Sequence, residues 1–245
     1  VQADVFVYDV GAGGKLAGKR FTGDAGATRY LGHKIADEIL FSLTGQHGIF
    51  GARLAAVGTA TGNKEIYVMD VDGHGIRAAT RNGSINLSPA WSPTGRQLAW
   101  TSYKRGNPDL YVKDVVRGGS RVLSAREGIN TGAAYSPDGT KVALARSHDG
   151  DSDIYVLDAR TGAVIERVTK GGGIDVAPDW HPSGTKLAYA SERSGGSQVY
   201  VHDLASGQAQ RVTFHGSFNS DPVWSPDGSM LAFVGRDRNF DVFVV

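Results

Sequence analysis

The sequence contains no cysteine among its 245 residues. This excludes disulfide bonds, thiolate catalysis and cysteine-ligated zinc. No stretch reaches the apolar length of a membrane-spanning helix, so direct membrane insertion is not predicted. The formal net charge is only +1, from 26 basic and 25 acidic residues. Because nucleic-acid binders usually carry a basic stripe, nucleic acid is not predicted as a partner.

Motifs of catalysis and metal binding are also missing. No G-x-S-x-G string occurs, and the seven histidines show no ligand spacing. The segment HDGDSD, residues 148–153, places acids at alternate positions as calcium loops do, but it lacks the distal glutamate of such a loop. Polar hairpin tips explain this segment and residues 69–75 more simply. We therefore predict no enzyme activity, no metal site and no cofactor.

Glycine is abundant, with 34 residues, which indicates many tight turns and short strands. Two columns of aromatic residues repeat along the chain. The first has intervals of 44, 45 and 44 residues and contains Trp91, Tyr135, Trp180 and Trp224. The second has intervals of 44, 44, 45 and 43 residues and contains Tyr67, Tyr111, Tyr155, Tyr200 and Phe243. Two independent columns with one period indicate an internal repeat.

Each repeat reads as four short strands. The first strand ends at the aromatic residue, and a turn such as Pro137–Gly139 leads into the second. Four antiparallel strands in a unit of this length are typical of a β-propeller blade, and they predict that the first aromatic column is core. Strand counting gives five second and five third strands, but four first and four fourth strands. The fold prediction is mainly β: a six-bladed-type β-propeller over residues 51–245, with about four and a half blades present and incomplete at the C-terminus.

Residues 1–50 differ from the repeats. An alternating strand opens the segment, and apolar residues at helical spacing from Leu31 to Leu43 predict a helix at about 29–44, ended by Gly45. This predicts the C-terminal part of a small α/β domain. Because the chain starts inside a strand and without a signal peptide, a processed form or a fragment is expected.

One segment and the blade strings carry a resemblance to a known family. They are HKIADEILFSLTGQHGIFGARLAAV at residues 33–57, followed by W/Y-x-P-x-G, K-L-A and I-Y-V-x-D in the blades. Together they resemble the TolB family, periplasmic β-propeller proteins of the Tol–Pal system. The resemblance implies a non-enzymatic periplasmic adaptor that binds the lipoprotein Pal and TolA. It also implies a role in outer-membrane integrity and cell division, and use of the same surface by bacteriocin translocation peptides.

The resemblance further implies that Pal docks on a rim of the propeller. The residues predicted for that rim lie on the loops entering the innermost strands: Asn86, Ser88, Asn130, Thr131, Gly132, Asp175, Val176, Ala177, Asn219, Ser220 and Asp221. A second interpretation is that the asparagines and aspartates bond to their own turns. The two interpretations are compatible. The binding interpretation predicts that bulky residues at Asn130 and Asp175 weaken binding and leave stability nearly intact.

Two other functions remain open. The chain could be the propeller of a serine peptidase of the prolyl-oligopeptidase type, which gates substrate access and whose hydrolase domain lies outside this sequence. It could also be a propeller lyase or sugar-binding enzyme, which would need charged catalytic residues in the channel. The polar column here is mostly asparagine, which favours the adaptor.

Overall fold

A computed structural model describes residues 1–148 and 150–245, and the side chains of all of these except His148. The chain divides into two compact units. The first comprises Val1–Leu54 and Val68–Arg77, and the second comprises Ala55–Tyr67 and Ala78–Val245. Among the described residues, no helix combines the length and the apolar character needed to cross a bilayer.

The first unit contains a hairpin and a helix. Strands β1 (Gln2–Asp9) and β2 (Gly14–Thr22) pair antiparallel, and a short 3₁₀ helix leads into α1 (Thr28–Thr44). Helix α1 packs on β2 and ends where the sequence predicts, at Gly45. Gly45 has a φ of 72° and donates its N–H to the carbonyl of Phe41 at 2.8 Å. Only a residue without a Cβ adopts this left-handed cap at no steric cost.

Besides the β1–β2 hairpin, the described residues form five sheets, which are the five blades of a β-propeller. Their strands, in chain order, are β3 (Arg53–Gly58), β4 (Glu65–Asp70) and β5 (Arg77–Ala78); β6 (Asn86–Trp91), β7 (Gln97–Ser102), β8 (Asp109–Asp114) and β9 (Ser120–Ser124); β10 (Asn130–Tyr135), β11 (Lys141–His148), β12 (Asp151–Asp158) and β13 (Val164–Arg167); β14 (Asp175–Trp180), β15 (Lys186–Ser191), β16 (Gln198–Asp203) and β17 (Gln208–Arg211); and β18 (Phe218–Trp224), β19 (Leu231–Arg236) and β20 (Phe240–Val244). Blades 1 and 5 have three strands, and blades 2 to 4 have four.

The inner strands of blades 2 to 5 follow one another in space, with β10 in contact with β6 and β14, and β14 in contact with β18. The second strand of each central blade is the most buried, and Leu98, Leu144 and Leu187 are fully buried. Such strands are covered on both faces by neighbouring blades, which explains their nearly continuous apolar runs.

The first aromatic column acts as a joint between blades. Tyr135 and Trp180 are buried, and the indole Nε1 of Trp180 donates to the carbonyl of Ala134 in the preceding blade at 3.2 Å. Trp91 and Trp224 are half-buried. The aromatic rings are therefore used mainly for packing, as the repeat predicts.

Candidate binding rim and central channel

One edge of the propeller collects the predicted site residues. Inner strands begin at this edge, and the loops between second and third strands reach it too, because antiparallel neighbours end at alternate edges. We call this edge the asparagine rim, after the residues that lie first or second in the four inner strands: Asn86, Asn130, Asp175 and Asn219.

The four residues that name the rim are buried, with exposed fractions of 0%, 0%, 1% and 2% in chain order. The buried side chain of Asn130 forms hydrogen bonds with the loop that precedes it. Its Nδ2 donates to the carbonyls of Arg126 at 2.7 Å and Gly128 at 3.2 Å, and its Oδ1 accepts from Ser124 Oγ at 2.6 Å. The side chain thus holds the loop that precedes it, as the second interpretation predicts.

Asn86 and Asn219 join neighbouring blades. Nδ2 of Asn86 donates to Oε2 of Glu65 at 2.9 Å, and Nδ2 of Asn219 donates to Oε1 of Gln198 at 2.9 Å. Glu65 and Gln198 are themselves buried at the start of third strands. Each amide therefore satisfies a buried acceptor of the preceding blade.

Asp175 replaces the asparagine in blade 4 and is neutralised there. Both of its carboxylate oxygens accept from Nη2 of Arg193 at 3.3 Å. The guanidinium also donates to the hydroxyls of Tyr189 at 3.0 Å and Ser191 at 2.8 Å. The expectation that Asn130 and Asp175 can be enlarged without loss of stability is corrected by this geometry, because both side chains lie inside the fold in hydrogen-bonded networks.

The position two residues further along each inner strand has an unusual backbone. Ser88, Gly132, Ala177 and Asp221 have φ values of 50°, 66°, 51° and 50°. The ladder breaks there: β6 pairs with β7 at Leu87 and again at Ala90, and within the described chain the two residues between them have no partner in β7. The same break occurs in the inner strands of blades 3, 4 and 5. Each inner strand therefore carries a bulge whose first residue is left-handed.

These bulges line a central channel. The cavity measures about 430 Å³ and is bounded by the inner strands of four blades. Ser88 and Asp221 are exposed, whereas Gly132 and Ala177 are half-buried. Of the remaining predicted residues, Thr131 and Val176 are half-buried and Ser220 is buried. The structure brings the predicted set to one rim, buries the side chains that open the inner strands, and places the bulge residues along the channel.

Asp179 is a channel residue that the sequence analysis missed. It lines the cavity, and its Oδ2 accepts from the backbone N–H of Trp224 in the next blade at 2.8 Å. Burial raises the pKa of its carboxyl, and hydrogen bonds from the Trp224 and Trp180 amides oppose that rise. A signal for it exists in the repeat, since the other blades carry an apolar residue at this position: Ala90, Ala134 and Val223.

No group of three or more metal-ligating side chains is present among the described residues. Asp149 of the calcium-like segment lies outside those residues. Asp153 of the same segment is fully buried and binds Nε of Arg167 at 3.0 Å. In residues 69–75, Asp70 and Asp72 face Arg29 of α1. Asp153, Asp70 and Asp72 thus bind arginines.

Comparison with known proteins places this geometry in a family. The TolB beta propeller domain family matches residues 41–245. The chain belongs to this family. The resemblance stated from the sequence is thereby confirmed.

Named TolB proteins are similar to parts of the chain. The Tol-Pal system protein TolB of Geobacter sulfurreducens is 46% identical over 92 residues, which cover 38% of this chain and 21% of that protein. The protein TolB homolog of Chlorobaculum tepidum is 39% identical over 100 residues, covering 41% of this chain and 23% of that protein. The matched stretches therefore span less than a quarter of these TolB relatives.

Solved structures resemble the chain over a greater length. The crystal structure of TolB from Acinetobacter baumannii matches with a TM-score of 0.90 and 31% identity, and the match covers 99% of this chain and 62% of that chain. A puromycin hydrolase matches with a TM-score of 0.59 at 17% identity, over 73% of this chain and 31% of the hydrolase. At that identity the hydrolase shares the fold alone.

Proposed function

We propose that the protein is a non-enzymatic periplasmic adaptor of the Tol–Pal system. In this proposal the propeller binds the lipoprotein Pal at the asparagine rim, and the protein also binds TolA. It thereby supports outer-membrane integrity and cell division. Membership of the TolB propeller family and the similarity to proteins named Tol-Pal system protein TolB support this assignment.

The observation that supports binding at this rim is the set of four bulges at the mouth of the channel. At each bulge two residues have no register partner in the second strand. The second of the two is a proline in blades 2, 4 and 5, so in those blades only the first residue has a backbone N–H. Four such bulges surround one cavity. Backbone groups around a concave surface are suited to an extended peptide or a protein loop, because they bond to main chain without demanding a particular side chain.

Catalysis is not part of the proposal. Among the described residues, the carboxylates that line the channel are Asp179 and the exposed Asp221. Glycoside hydrolysis uses two free carboxyl groups on one substrate, whereas Asp179 is already engaged by the Trp224 amide. The peptidase alternative rests only on a shared fold, since the hydrolase match is at 17% identity.

We further propose that the five blades belong to a six-bladed ring and that residues 1–50 are the C-terminal part of a small α/β domain. Both proposals rest on the resemblance to the TolB family, and this chain matches 62% of the Acinetobacter TolB at a TM-score of 0.90. Bacteriocin translocation peptides are proposed to compete for the same rim.

Calorimetry with a soluble Pal domain tests the proposed function. We expect a Kd in the micromolar range or tighter for the native chain. Because Asp221 is exposed at the channel mouth, Asp221→Arg should weaken binding about tenfold or more by charge and bulk. Glu166→Arg is the matched control, since it makes the same change of charge on the exposed outer strand β13 and should leave the affinity unchanged. No heat from a folded sample at high micromolar concentration would exclude Pal as the partner.

A further inference from the structure

Blade 3 carries a basic residue where its neighbours carry serine. The second strands of blades 2 and 4 end with Ser102 and Ser191, which pair with Asn86 and Asp175 across the sheet. In blade 3 the residue that pairs with Asn130 is Arg146. The long charged side chain is thus placed at the asparagine rim, in a position that a small hydroxyl occupies in the neighbouring repeats.

Arg146 is a buried basic residue whose charge is not balanced by the residues that the structure describes. It is only 8% exposed, and its buried Nε has no hydrogen-bond partner among those residues. In the part of the chain that the structure describes, no carboxylate forms an ion pair with it. A buried charge without a partner carries a desolvation cost that structures usually avoid. An unpaired buried arginine therefore indicates a function other than stabilising the fold.

The carboxylate across the strand pair is already engaged. Asp153 lies opposite Arg146 in β12, but its Oδ2 accepts from Nε of Arg167 at 3.0 Å. Its Oδ1 accepts from Thr169 Oγ1 at 3.3 Å and from the amide of Gly171 at 3.2 Å. Asp153 therefore compensates Arg167 and leaves Arg146 unpaired.

The surroundings of Arg146 are electropositive. Burial lowers the pKa of its guanidinium, and the nearby charge of Arg126 lowers it further. The guanidinium carbon lies 5.1 Å from the centre of the Tyr155 ring, and that of Arg167 lies 5.9 Å from the same ring. Three arginines and one engaged aspartate thus share this part of the rim, which favours an anion from outside the chain.

We propose that Arg126 and Arg146 form a carboxylate-binding subsite that receives an aspartate or glutamate side chain of the protein partner at the rim. This subsite rests on the proposed function, because it identifies an acidic group as part of the epitope of the partner. Arg126 is exposed and contacts the carboxylate first. The planar guanidinium of Arg146 then binds the same carboxylate and orients it. Asn130 is a positioning residue, since its Nδ2 holds the carbonyl of Arg126 at 2.7 Å.

A titration with sodium acetate tests the subsite without any protein partner. The arginine Nε–H signals of the ¹⁵N-labelled chain are followed at constant ionic strength. We expect acetate at millimolar concentration to shift the Arg146 signal, and Arg126→Met to weaken that response about tenfold. The Arg160 signal should stay unshifted, because Arg160 is exposed in a turn on the opposite rim. The carboxylate subsite would be overturned if the Arg146 signal did not respond to acetate. It would also be overturned if inorganic phosphate produced the same shift at a tenfold lower concentration than acetate.

Binding of the soluble Pal domain then links the subsite to the partner. Arg146→Met should lower the affinity about tenfold or more, the usual scale for one charge-assisted pair. Arg160→Met should leave it unchanged, and Arg146→Lys should recover part of the loss. The melting temperature of Arg146→Met should equal or exceed that of the native chain, since a buried unpaired charge is removed. Unchanged affinity of Arg146→Met would exclude the subsite from the interface. If the native chain binds no Pal, the proposed function fails while the acetate titration still decides the subsite.

Discussion

Single residues at the asparagine rim divide two tasks between neighbouring positions. The amide of Asn130 is buried and bonded to the loop before it, whereas the bulge residue Gly132 faces the channel two positions later. The first position determines where the backbone lies, and the second presents that backbone to a partner. Substitutions at the two positions should therefore have different consequences.

Replacing Asn130 with alanine should lower the free energy of unfolding by about 2–3 kcal/mol, because several buried polar groups lose their partners at once. They include Ser124 Oγ and the carbonyl of Arg126. Urea unfolding measures the change. Ser88→Ala in blade 2 is the comparison, since Ser88 is exposed and should change the free energy by no more than about 0.5 kcal/mol. Equal stabilities of the two variants would contradict a structural role for the rim amides.

Asp179 gives the channel a pH dependence. Burial raises the pKa of its carboxyl, so the folded state binds the proton more tightly than the unfolded chain. Its contribution to stability must then fall as pH rises from the unfolded pKa through the folded pKa. Asparagine at this position keeps an acceptor for the Trp224 amide and cannot ionise. The free energy of unfolding of Asp179→Asn relative to the native chain should increase between about pH 4 and pH 7.

A carboxyl with the opposite shift is available as a control. Hydrogen bonds from the Ser136 hydroxyl and from Thr140 lower the pKa of Asp138 to about 2. Its contribution is present above the unfolded pKa and is lost as pH falls. The relative stability of Asp138→Asn should therefore decrease as pH rises from about 2 to about 5 and change little above that. A parallel trend for both variants would contradict the assignment for Asp179.

Among the elements, the turn between the first and second strands of a blade packs against the preceding blade. Gly139 and Gly228 occupy the same place in two of these turns, with φ values of 71° and 73°. A Cβ at Gly139 would lie 3.6 Å from Cδ of Pro93, which is ordinary contact. A Cβ at Gly228 would collide with the ring of His181, whose Nε2 lies 3.2 Å from the carbonyl of Gly228.

Alanine at Gly228 should therefore be more costly than alanine at Gly139. Both variants bear the left-handed strain, of about 1–2 kcal/mol, and only Gly228→Ala must also displace His181. We expect a difference of at least about 1 kcal/mol between their free energies of unfolding, measured by urea titration. Equal losses would show that His181 moves aside freely.

At the scale of the whole molecule, the blades follow one another along the chain, and the last strand of blade 5 within the described residues is β20. Strand β20 is an edge strand, and all five of its residues are exposed. They include Phe240 at 59% and Val242 at 73% exposure. An exposed apolar edge strand is a template for pairing with another chain.

The 245-residue chain should therefore associate as its concentration rises. Val242→Lys should reduce that association, because an edge lysine disfavours strand pairing. Sedimentation velocity across a concentration series measures the association of the native chain and of the Val242→Lys variant. Val164→Lys, on the exposed outer strand β13 of blade 3, is the control. A monomeric native chain at every concentration would exclude β20 as an association site.

The local parts of the fold could be predicted from the sequence. The order of strands within each repeat, the turn at Pro137–Gly139 and the helix end at Gly45 are set by neighbouring residues and by glycine's access to positive φ. The candidate site could be predicted only by its place at one rim. Which of its side chains are open could not, since that depends on loops from the adjacent blade.

The sequence by itself determined the repeat, the class of fold and the family, because these follow from periodicity and from short motifs. Tertiary structure decided that Asn130 is buried, that Ala177 adopts a left-handed backbone, that Asp179 lines the channel and that none of the described carboxylates pairs with Arg146. Burial and charge balance depend on residues brought together from different blades. Short sequence motifs do not specify which residues of another blade lie next to a side chain.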